Sequence, residues 1–257
     1  MRCFVSRLII SAGQELLRQF YLFNRDQVRY KSKHQIVTRA DIIAEKIIIS
    51  AINKKYPTHQ ILSEEAGLSK QTSEYLWIID PLDGTTNFAL KNPLFGISIA
   101  LAKKGQIIFG AIYIPFINKL VLAELGQGAT INGKKIHVSK KKNLNGAFLT
   151  YCHGSKLNDV KRAIAVYKGL KIKYSDVRQM GSSVVEMAWV AAGYTDGHFV
   201  PGANLWDVAA GSLIIREAGG RVTDLQNHPW DLKSKDLIAS NGQVHNQLLK
   251  EIRKYDL

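Results

Sequence analysis

Two carboxylates, Asp80 and Asp83, stand three residues apart in the segment WIIDPLDGTTNF. The apolar run before them is typical of a buried strand, and Pro81 cannot donate a ladder hydrogen bond. We therefore predict that the strand ends at Asp80. Two acids at the edge of a buried strand repel each other unless a cation lies between them. The spacing therefore indicates a site that takes up positive charge.

The residues that follow these acids are predicted to form an anion-binding turn. Gly84 permits a tight turn, and Thr85 or Thr86 can cap a helix that starts near Asn87. A helix N-terminus presents free N–H groups and partial positive charge, which favours a phosphate group. The sequence thus places two carboxylates beside a predicted phosphate site.

Magnesium ions resolve the repulsion between carboxylates and a phosphate. Mg²⁺ takes oxygen ligands, is held by a few carboxylates together with substrate phosphate, and works in pairs about 3.5–4 Å apart in many phosphatases. Two acids cannot fill two such sites, so further carboxylates are needed. The sequence offers them in HQILSEEAG, where Glu64 and Glu65 follow a predicted strand, and in NLWDVAAG, where Asp207 opens a predicted helix.

Each of these motifs has a simpler interpretation when it is taken alone. An Asp-x-x-Asp-Gly segment is common in solvated turns, a Glu-Glu pair is common on surfaces, and Asp207 by itself fits a helix cap. Two rival motifs fit worse. The Asp-x-Asp-Gly-Thr motif of haloacid-dehalogenase phosphatases needs its acids two residues apart, and an EF-hand needs a later bidentate Glu. The combination of three acidic clusters, each at the edge of a regular element, favours a metal site.

The amino-acid composition is typical of a globular protein, and only the net charge is unusual. Of 257 residues, 46% are hydrophobic and 22% charged, and no apolar run approaches the length that spans a bilayer, so we expect a soluble protein without a membrane segment. The N-terminus lacks a signal-peptide pattern, and Cys3 and Cys152 are too few for a disulfide framework, which favours a reducing cytoplasm. The net charge of +14 raises the local concentration of anionic partners.

Residues 1–138 are predicted to form an N-terminal α+β half. Apolar residues from Val5 to Phe20 repeat at helical spacing, and a second helix pattern after Asp41 ends at a Tyr-Pro pair. From Phe95 onward the pattern changes to strands separated by turns, with an Asn-Gly hairpin signal at Asn132. This order predicts a largely antiparallel sheet.

The polar segment SKKKNLNG, residues 139–146, is predicted to be the domain boundary. Residues 147–257 are predicted to form a C-terminal α/β half, because helix and strand patterns alternate there. The predicted elements are a strand in AFLTYC, a helix in DVKRAIAVYKGL, a basic strand, a helix in SSVVEMAWVAAG, a strand in DGHFV and a helix in DVAAGSLIIREAGG.

Five motifs occur in a fixed order: VTRAD, ILSEE, WIIDPLDGTTNF, LWDVAAG and EAGGRVTD. They resemble the inositol monophosphatase family of magnesium-dependent, lithium-sensitive phosphatases, and the resemblance spans nearly the whole chain beyond the first helix pattern. The segment DPLDGTTNF is highly specific, whereas SEE alone is not. The resemblance implies an α/β fold of the α+β type, a layered αβαβα sandwich of two halves, with two or three Mg²⁺ ions and assembly as a homodimer.

The same resemblance implies roles for individual residues. It assigns metal binding to four carboxylates and one backbone carbonyl: Glu64, Asp80, Asp83, Asp207 and Leu82. Thr85 and Glu64 match the pair that orients the attacking water, and Asp41 matches the residue that supports this threonine. The amides of Gly84 and Thr85 match the phosphate-binding turn. Substrate contacts are implied at Asp83, Gly181, Ser182, Ser183 and Asp207.

Two positions depart from the family pattern. Val200 stands where inositol-preferring members often have a glutamate that holds a sugar hydroxyl, and Gln35 stands where an acid is common, which predicts a weakened third metal site. The expected function is hydrolysis of a small phosphorylated metabolite, first of all inositol-1-phosphate, by metal-activated water. The alternatives are 3′-phosphoadenosine-5′-phosphate, fructose-1,6-bisphosphate and histidinol phosphate.

A second hypothesis concerns clusters of basic residues, which can dock RNA or an RNA-associated complex. The clusters consist of Lys134, Lys135, Lys140, Lys141 and Lys142, and of Arg25, Arg29, Lys31 and Lys33. Aromatic residues for base stacking are sparse there, and a solvated charged face is the simpler interpretation.

Three further residues are expected to be structural. His153 has no neighbouring acid or second histidine at metal-ligand spacing. Trp206 fits the core, or a wall that fixes the rotamer of Asp207, better than a stacking platform, and Cys152 fits a buried small residue. Hydrolysis by metal-activated water needs no cysteine nucleophile.

Overall fold

The computed structural model describes residues 1–24, 28–32, 35–174 and 176–255. Within them the chain forms seven α-helices: α1 (Arg2–Leu22), α2 (Arg39–Lys55), α3 (Thr85–Ala89), α4 (Leu157–Tyr174), α5 (Ser183–Ala191), α6 (Leu205–Glu217) and α7 (His245–Tyr255). The strands are β1 (Arg29–Ser32), β2 (Gln35–Val37), β3 (Gln60–Ser63), β4 (Gly67–Leu68), β5 (Tyr75–Asp83), β6 (Gly96–Lys103), β7 (Gln106–Ile114), β8 (Lys119–Glu124), β9 (Ala129–Ile131), β10 (Lys134–Lys135), β11 (Leu149–Tyr151), β12 (Val177–Arg178), β13 (Gly197–Val200), β14 (Arg221–Thr223) and β15 (Leu237–Ser240).

These elements stack as five layers. Helices α1 and α2 cover one face of an eight-stranded sheet, α5 and α6 lie between this sheet and a five-stranded sheet, and α4 and α7 cover the outer face of the second sheet. Three buried apolar clusters fill the spaces between the layers. The predicted αβαβα sandwich is confirmed.

The first layer confirms both predicted N-terminal helices. Helix α1 buries residues at helical spacing, including Val5 and Phe20. Helix α2 begins with a capping box, in which the Thr38 side chain accepts a hydrogen bond from the first turn and the Asp41 carboxylate accepts one from the Thr38 amide. This cap fixes Asp41 at the start of α2, on its buried side.

The eight-stranded sheet has the order β10-β9-β8-β7-β6-β5-β3-β4. Its strands from β5 to β10 pair as the predicted antiparallel meander, whereas β3 runs parallel to β5. Asn132 and Gly133 form the predicted hairpin turn, and both have positive φ, 48° and 80°. The parallel pairing brings the ends of β3 and β5 to the same edge of the sheet.

The central layer is packed closely against the first sheet. A Cβ atom added to Gly110 on β7 would lie 2.8 Å from the carbonyl oxygen of Ala210 on α6. Helix α6 therefore approaches the sheet at a point where only glycine fits. This contact fixes the distance of α6 from the sheet, and with it the position of the residues in the first turn of α6.

The five-stranded sheet is mixed, with the order β12-β11-β13-β15-β14. Strand β11 pairs in parallel with β12 and β13, and β15 pairs antiparallel with β13 and β14. The prediction of a basic strand after DVKRAIAVYKGL is largely wrong, because α4 continues to Tyr174 and only Val177–Arg178 is extended. The reason is that Val166, Leu170 and Tyr174 continue the helical spacing of buried residues.

The two sheets draw on different stretches of the chain, the first ending at Lys135 and the second beginning at Leu149. The central apolar cluster nevertheless combines both stretches, for example Ile112 with Ile214. The domain division at residues 139–146 stays a prediction. None of the helices in the described ranges combines the length and apolar character needed to cross a bilayer.

The imidazole of His245, at the start of α7, is fully buried between two hydroxyls. Its Nε2 lies 2.9 Å from Thr223 Oγ1, and its Nδ1 lies 2.9 Å from Ser240 Oγ. Burial lowers the pKa of His245 from 6.5 to about 4, and the charge of Arg221 adds to this effect. The folded protein thus keeps this histidine neutral where the unfolded chain would protonate it.

We predict that His245 makes the protein less stable in acid. Between pH 6.5 and about 4 the unfolded chain binds one proton more than the folded protein at this residue, so the free energy of unfolding falls as the pH falls. The contribution is about 3 kcal/mol. In urea denaturation at several pH values, His245→Gln should reduce the slope of unfolding free energy against pH.

The matched control is His137→Gln, which changes an exposed histidine. This variant should keep the wild-type slope. Equal slopes for His245→Gln and the wild type would contradict the prediction.

Candidate metal and phosphate site

Strand β5 positions Asp80 and Asp83 through a bulge. It runs on through Pro81 to Asp83, so the prediction that it ends at Asp80 is wrong. The register against β6 shifts between the two acids, with Asp80 opposite Ser98 and Asp83 opposite Gly96. In a regular strand, residues three apart point to opposite faces. The bulge accommodates Pro81, because the ladder hydrogen bonds are interrupted there. Its extra residue lets both carboxylates reach one site.

Asp207 forms the acid group of the site together with Asp80 and Asp83. It lies in the first turn of α6, where Asn204 Nδ2 donates a hydrogen bond of 3.1 Å to its Oδ2. Asp80, Asp83 and Asp207 each offer a carboxylate oxygen, and these oxygens lie within 4.8 Å of one another. The structure therefore brings together acids that the sequence separates by more than 120 positions.

Glu64 follows β3 and lies on the lining of the same cavity. Its amide donates to the Ile79 carbonyl on β5. The buried Glu45 supports this turn, because its Oε1 accepts hydrogen bonds from Ser63 Oγ at 2.5 Å and from the amides of Glu65 and Ala66. Glu45 was not among the residues predicted from the sequence. The available signal was an acid on the apolar face of α2, four residues after Asp41.

The turn after Asp83 is formed by glycine. Gly84 is the N-cap of α3 and has φ 88°, and an added Cβ would lie 3.0 Å from the Leu94 carbonyl oxygen. The prediction that Thr85 or Thr86 caps the helix near Asn87 is wrong, because the helix already begins at Thr85. Helix α3 has only five residues, so its dipole is weak and the turn amides are the main donors.

The hydroxyl of Thr85 is held by two acceptors, a carboxylate and a backbone carbonyl. Its Oγ1 lies 3.0 Å from Asp41 Oδ1 and 3.0 Å from the Leu82 carbonyl oxygen. Asp41 is buried and does not line the cavity, and its Oδ2 accepts from the Thr38 amide and hydroxyl. Burial raises the pKa of Asp41 to about 6, against the effect of these hydrogen bonds.

Asp83 is tied to the first turn of α5. Its Oδ2 accepts hydrogen bonds from Ser182 Oγ at 2.6 Å and from the Val184 amide at 2.7 Å. Burial raises the pKa of Asp83 to about 6, and these two hydrogen bonds limit the rise. The Val184 amide was not predicted from the sequence, because every residue except proline has a backbone N–H and the residue type does not show which one binds a carboxylate.

The electrostatics of the acid group favour a cation. Burial, followed by the charges of Glu64, Asp83 and Asp207, raises the pKa of Asp80 well above its ordinary value. Burial and the charges of Asp83 and Glu64 do the same for the pKa of Asp207. A hydrogen bond between the Asp80 and Asp207 carboxyls needs a proton on one of them. With both ionised, Asp80 Oδ2 is buried without a hydrogen-bond partner among the described residues.

The residues present therefore fit a divalent ion. A buried, unpaired carboxylate oxygen costs free energy unless a proton or a cation compensates it. The donor set of Asp80, Asp83 and Asp207 contains only oxygen, which suits a hard ion such as Mg²⁺. The nearby Glu64 adds a fourth carboxylate on the same cavity.

These side chains line a cavity of about 360 Å³. Nine predicted site residues lie on it: Glu64, Asp80, Leu82, Asp83, Gly84, Thr85, Gly181, Ser183 and Asp207. Ser182 is fully buried and acts on the cavity only through Asp83. Val200 is in the central apolar cluster and not on the cavity. The side chain of Gln35 lies outside the described residues.

The cavity also has lining residues that the sequence did not indicate: Asn87, Asn204 and Gln179. Two residues expected to be only structural, His153 and Cys152, lie on it as well. Trp206 is half-buried and packs against the central apolar cluster, in agreement with its predicted place in the core.

A statistical model described as "Inositol monophosphatase family" matches residues 1–257. The chain belongs to the inositol monophosphatase family. The Nus factor SuhB of Pasteurella multocida is 40% identical to it over 244 residues, which cover 94% of this chain and 91% of that protein. The inositol-1-monophosphatase of Mesorhizobium japonicum is 37% identical over 254 residues, which cover 95% of this chain and 93% of that protein.

Solved structures agree with the family assignment. The extragenic suppressor protein suhB from Bartonella henselae superposes with a TM-score of 0.92 at 33% sequence identity, covering 98% of each chain. The inositol monophosphatase of Thermotoga maritima superposes with a TM-score of 0.89 at 31% identity, covering 98% of this chain and 96% of that chain. The five-layer fold is thus the family fold.

We predict that Asp80→Asn weakens Mg²⁺ binding without lowering the stability of the metal-free protein. The variant removes a buried charge, so without divalent ions its melting temperature should equal or exceed that of the wild type. Added Mg²⁺ should stabilise the wild type, by about 2.7 kcal/mol at 100 times its dissociation constant, and should stabilise the variant far less. Thermal melts in EDTA and then in Mg²⁺ give both values.

The matched control is Asp176→Asn. Asp176 is paired weakly with Arg178, at 4.0 Å, and does not line the cavity. This control should keep the full response to Mg²⁺. An undiminished Mg²⁺ response in Asp80→Asn would remove Asp80 from the metal site.

Proposed function

We propose that the protein is a Mg²⁺-dependent phosphomonoesterase. The observation that carries the proposal is the unpaired, buried Oδ2 of Asp80 within an all-oxygen group of acids. The residues that would hold two or three Mg²⁺ ions are Glu64, Asp80, Asp83, Asp207 and the carbonyl of Leu82. When bound, such ions lower the pKa of a coordinated water and neutralise charge that develops on phosphate and leaving-group oxygens.

The role of Thr85 and Glu64 is to orient the attacking water. The single hydroxyl proton of Thr85 is directed to Asp41 or to the Leu82 carbonyl, so a lone pair of Oγ1 is left to accept a hydrogen bond from water. Glu64, on the same cavity, is the second acceptor for this water. Asp41 is a positioning residue, because it touches Thr85 and not the cavity.

The role of the turn after Asp83 is to bind the phosphate. The amides of Gly84 and Thr85 supply donors at this turn, and they suit the negative charge of a phosphate oxygen. The leaving group would contact Asp83, Asp207, Gly181, the N-cap residue Ser182 and Ser183, the first residue of α5. For Ser182 this contact would be indirect, since its hydroxyl is bound to Asp83.

Inositol-1-phosphate is the substrate that we propose first. The support is the family membership and the name of the 37% identical relative, inositol-1-monophosphatase. Val200 offers no acceptor for a sugar hydroxyl, so polar groups elsewhere on the cavity, such as His153 and Asn204, would have to bind the ring hydroxyls. Another small phosphorylated metabolite is the alternative for the same chemistry.

We expect Mg²⁺-dependent release of phosphate from inositol-1-phosphate, at a higher kcat/KM than from fructose-1,6-bisphosphate, histidinol phosphate or 3′-phosphoadenosine-5′-phosphate. Glu64→Gln and Thr85→Val should each lower kcat by a factor of about 10² or more, because the first removes a carboxylate charge and the second removes a hydroxyl that orients the water. Steady-state assays with inorganic phosphate detection measure these constants.

Two controls separate chemistry from folding. Thr85→Ser keeps the hydroxyl and should retain most of the activity, and Glu74→Gln changes a carboxylate that pairs with surface lysines far from the site. No turnover of any phosphomonoester in the panel would contradict the proposed function. Turnover of another member in preference to inositol-1-phosphate would contradict only the substrate.

Three further properties are proposed with this function. Lithium sensitivity and a homodimer rest on the family resemblance. A reducing compartment, such as the cytoplasm, is supported by Cys3 and Cys152, which are both unpaired.

A second function, association with RNA or an RNA-containing complex, is favoured by the net charge of +14. Several similar proteins carry the name Nus factor SuhB, which supports a role beyond metabolism. Lys134 and Lys135 are exposed on β10, and Lys140 and Lys142 are exposed a few residues later. Arg25 and Lys33, together with the side chains of Arg29 and Lys31, lie outside the described residues.

RNA binding should depend on the segment 140–142 and not on the metal site. Replacing its three lysines by glutamine should weaken binding of single-stranded RNA and reduce the slope of log affinity against log salt by about 2. Asp83→Asn should leave binding unchanged. Electrophoretic shift at several salt concentrations measures both effects.

A control with the same loss of charge replaces Lys161, Lys168 and Lys250, which are also exposed. An equal loss of affinity in both triple variants would show that RNA binding depends on overall charge and not on the segment 140–142. No binding by the wild type would contradict RNA association.

A further inference from the structure

A second cluster of side chains with metal-ligand chemistry lies beside the acid group. It consists of Cys152, just after β11, Glu186 in the first turn of α5, and His198 on β13. Their nearest ligand atoms lie within 4.8 Å of one another. Glu186 and His198 are fully buried, and Cys152 lies on the lining of the 360 Å³ cavity. Neither the proposed phosphatase chemistry nor the family motifs use this cluster.

The distances in the cluster are close to those of a tetrahedral zinc site. Glu186 Oε2 lies 3.2 Å from Cys152 Sγ and 3.1 Å from His198 Nδ1. Bonds of about 2.0–2.3 Å at tetrahedral angles put neighbouring ligand atoms about 3.3–3.6 Å apart. These two distances would have to lengthen by only a few tenths of an ångström to admit an ion, and the ligand atoms of Cys152 and His198 lie within 4.8 Å of each other.

Neighbouring groups hold two of these ligands in place. The Met180 amide donates to Glu186 Oε1, the oxygen that faces away from the cluster. His198 Nε2 lies 3.0 Å from Ser183 Oγ. Thr150 Oγ1 lies 2.9 Å from His198 Nδ1, the atom that faces Glu186, so this hydroxyl would have to release Nδ1 when an ion binds. Hydrogen bonds from outer groups to the far atoms of a carboxylate and an imidazole are typical of metal sites, where they fix the ligand orientation.

The charges of the cluster also balance with a divalent ion. Ionised Glu186 and the Cys152 thiolate carry two negative charges together, and a dication neutralises both. Binding displaces the thiol proton to solvent. For Nδ1 to bind the ion, the imidazole proton must lie on Nε2, where it can be donated to Ser183 Oγ. The ion thus binds neutral imidazole, carboxylate and thiolate.

We propose that Cys152, Glu186 and His198 bind one Zn²⁺ ion or an ion of similar preference. Sulfur and imidazole nitrogen favour Zn²⁺ over Mg²⁺, whereas the oxygen-only acid group has the opposite preference. A zinc site with three protein ligands leaves one position open. Cys152 lies on the cavity, so water can take this fourth position from the cavity side.

Cobalt tests the proposal, because Co²⁺ bound to a thiolate gives an intense near-ultraviolet charge-transfer band. The purified, reduced protein is titrated with Co²⁺ in excess Mg²⁺, which keeps the acid group occupied. We expect the band to reach its full intensity at one equivalent of Co²⁺ and to disappear when Zn²⁺ is added.

Three variants test whether the thiolate ligand is Cys152 and separate this site from the acid group. Cys152→Ser should abolish the band, whereas Cys3→Ser, which removes the only other thiol, should keep it. Asp207→Asn should also keep the band, because it alters only the acid group. A wild-type protein without the band, or a band that persists in Cys152→Ser, would overturn the proposal and leave the cluster as a hydrogen-bonded part of the core. This test does not depend on phosphatase activity.

Discussion

The structure depends on holding several carboxylates together at one largely buried place. Asp80 and Asp83 come from strand β5, Asp207 comes from helix α6, and Glu64 lies on the same cavity just after the neighbouring strand β3. Their mutual repulsion and burial favour any partner that brings positive charge. The acids themselves do not stabilise this arrangement. The packing of the surrounding layers must therefore supply the stabilising free energy.

The central helical layer does most of this positioning. Helix α6 carries Asp207 in its first turn and packs on Gly110 with no room for a side chain. The N-terminal turn of α5 holds Asp83 through the Val184 amide and carries Glu186 a few residues later. One layer, buried between two sheets, thus orients both the acid group and the mixed cluster of Cys152, Glu186 and His198.

Charge is distributed unevenly over the molecule. The chain as a whole carries +14, whereas the cavity is acidic. A positive surface attracts phosphorylated molecules over a distance of about a Debye length, roughly 8–10 Å at physiological salt. The cavity would repel the same molecules if its acids were ionised and alone. With the proposed function, cations on the acids would remove this repulsion, which would link the affinity for an anionic substrate to metal supply.

The sequence by itself determined most of the helices and the hairpin at Asn132, because these follow from local periodicity and turn chemistry. It also indicated the acids that share the cavity, and its motifs implied the layered fold through their resemblance to a known family. Only the tertiary structure decided how β5 passes Pro81 as a bulge, how Glu45 supports the turn of Glu64, and which groups surround His198. These contacts join residues tens of positions apart. Local patterns carry no information on such pairs, since they arise when separate layers pack against each other.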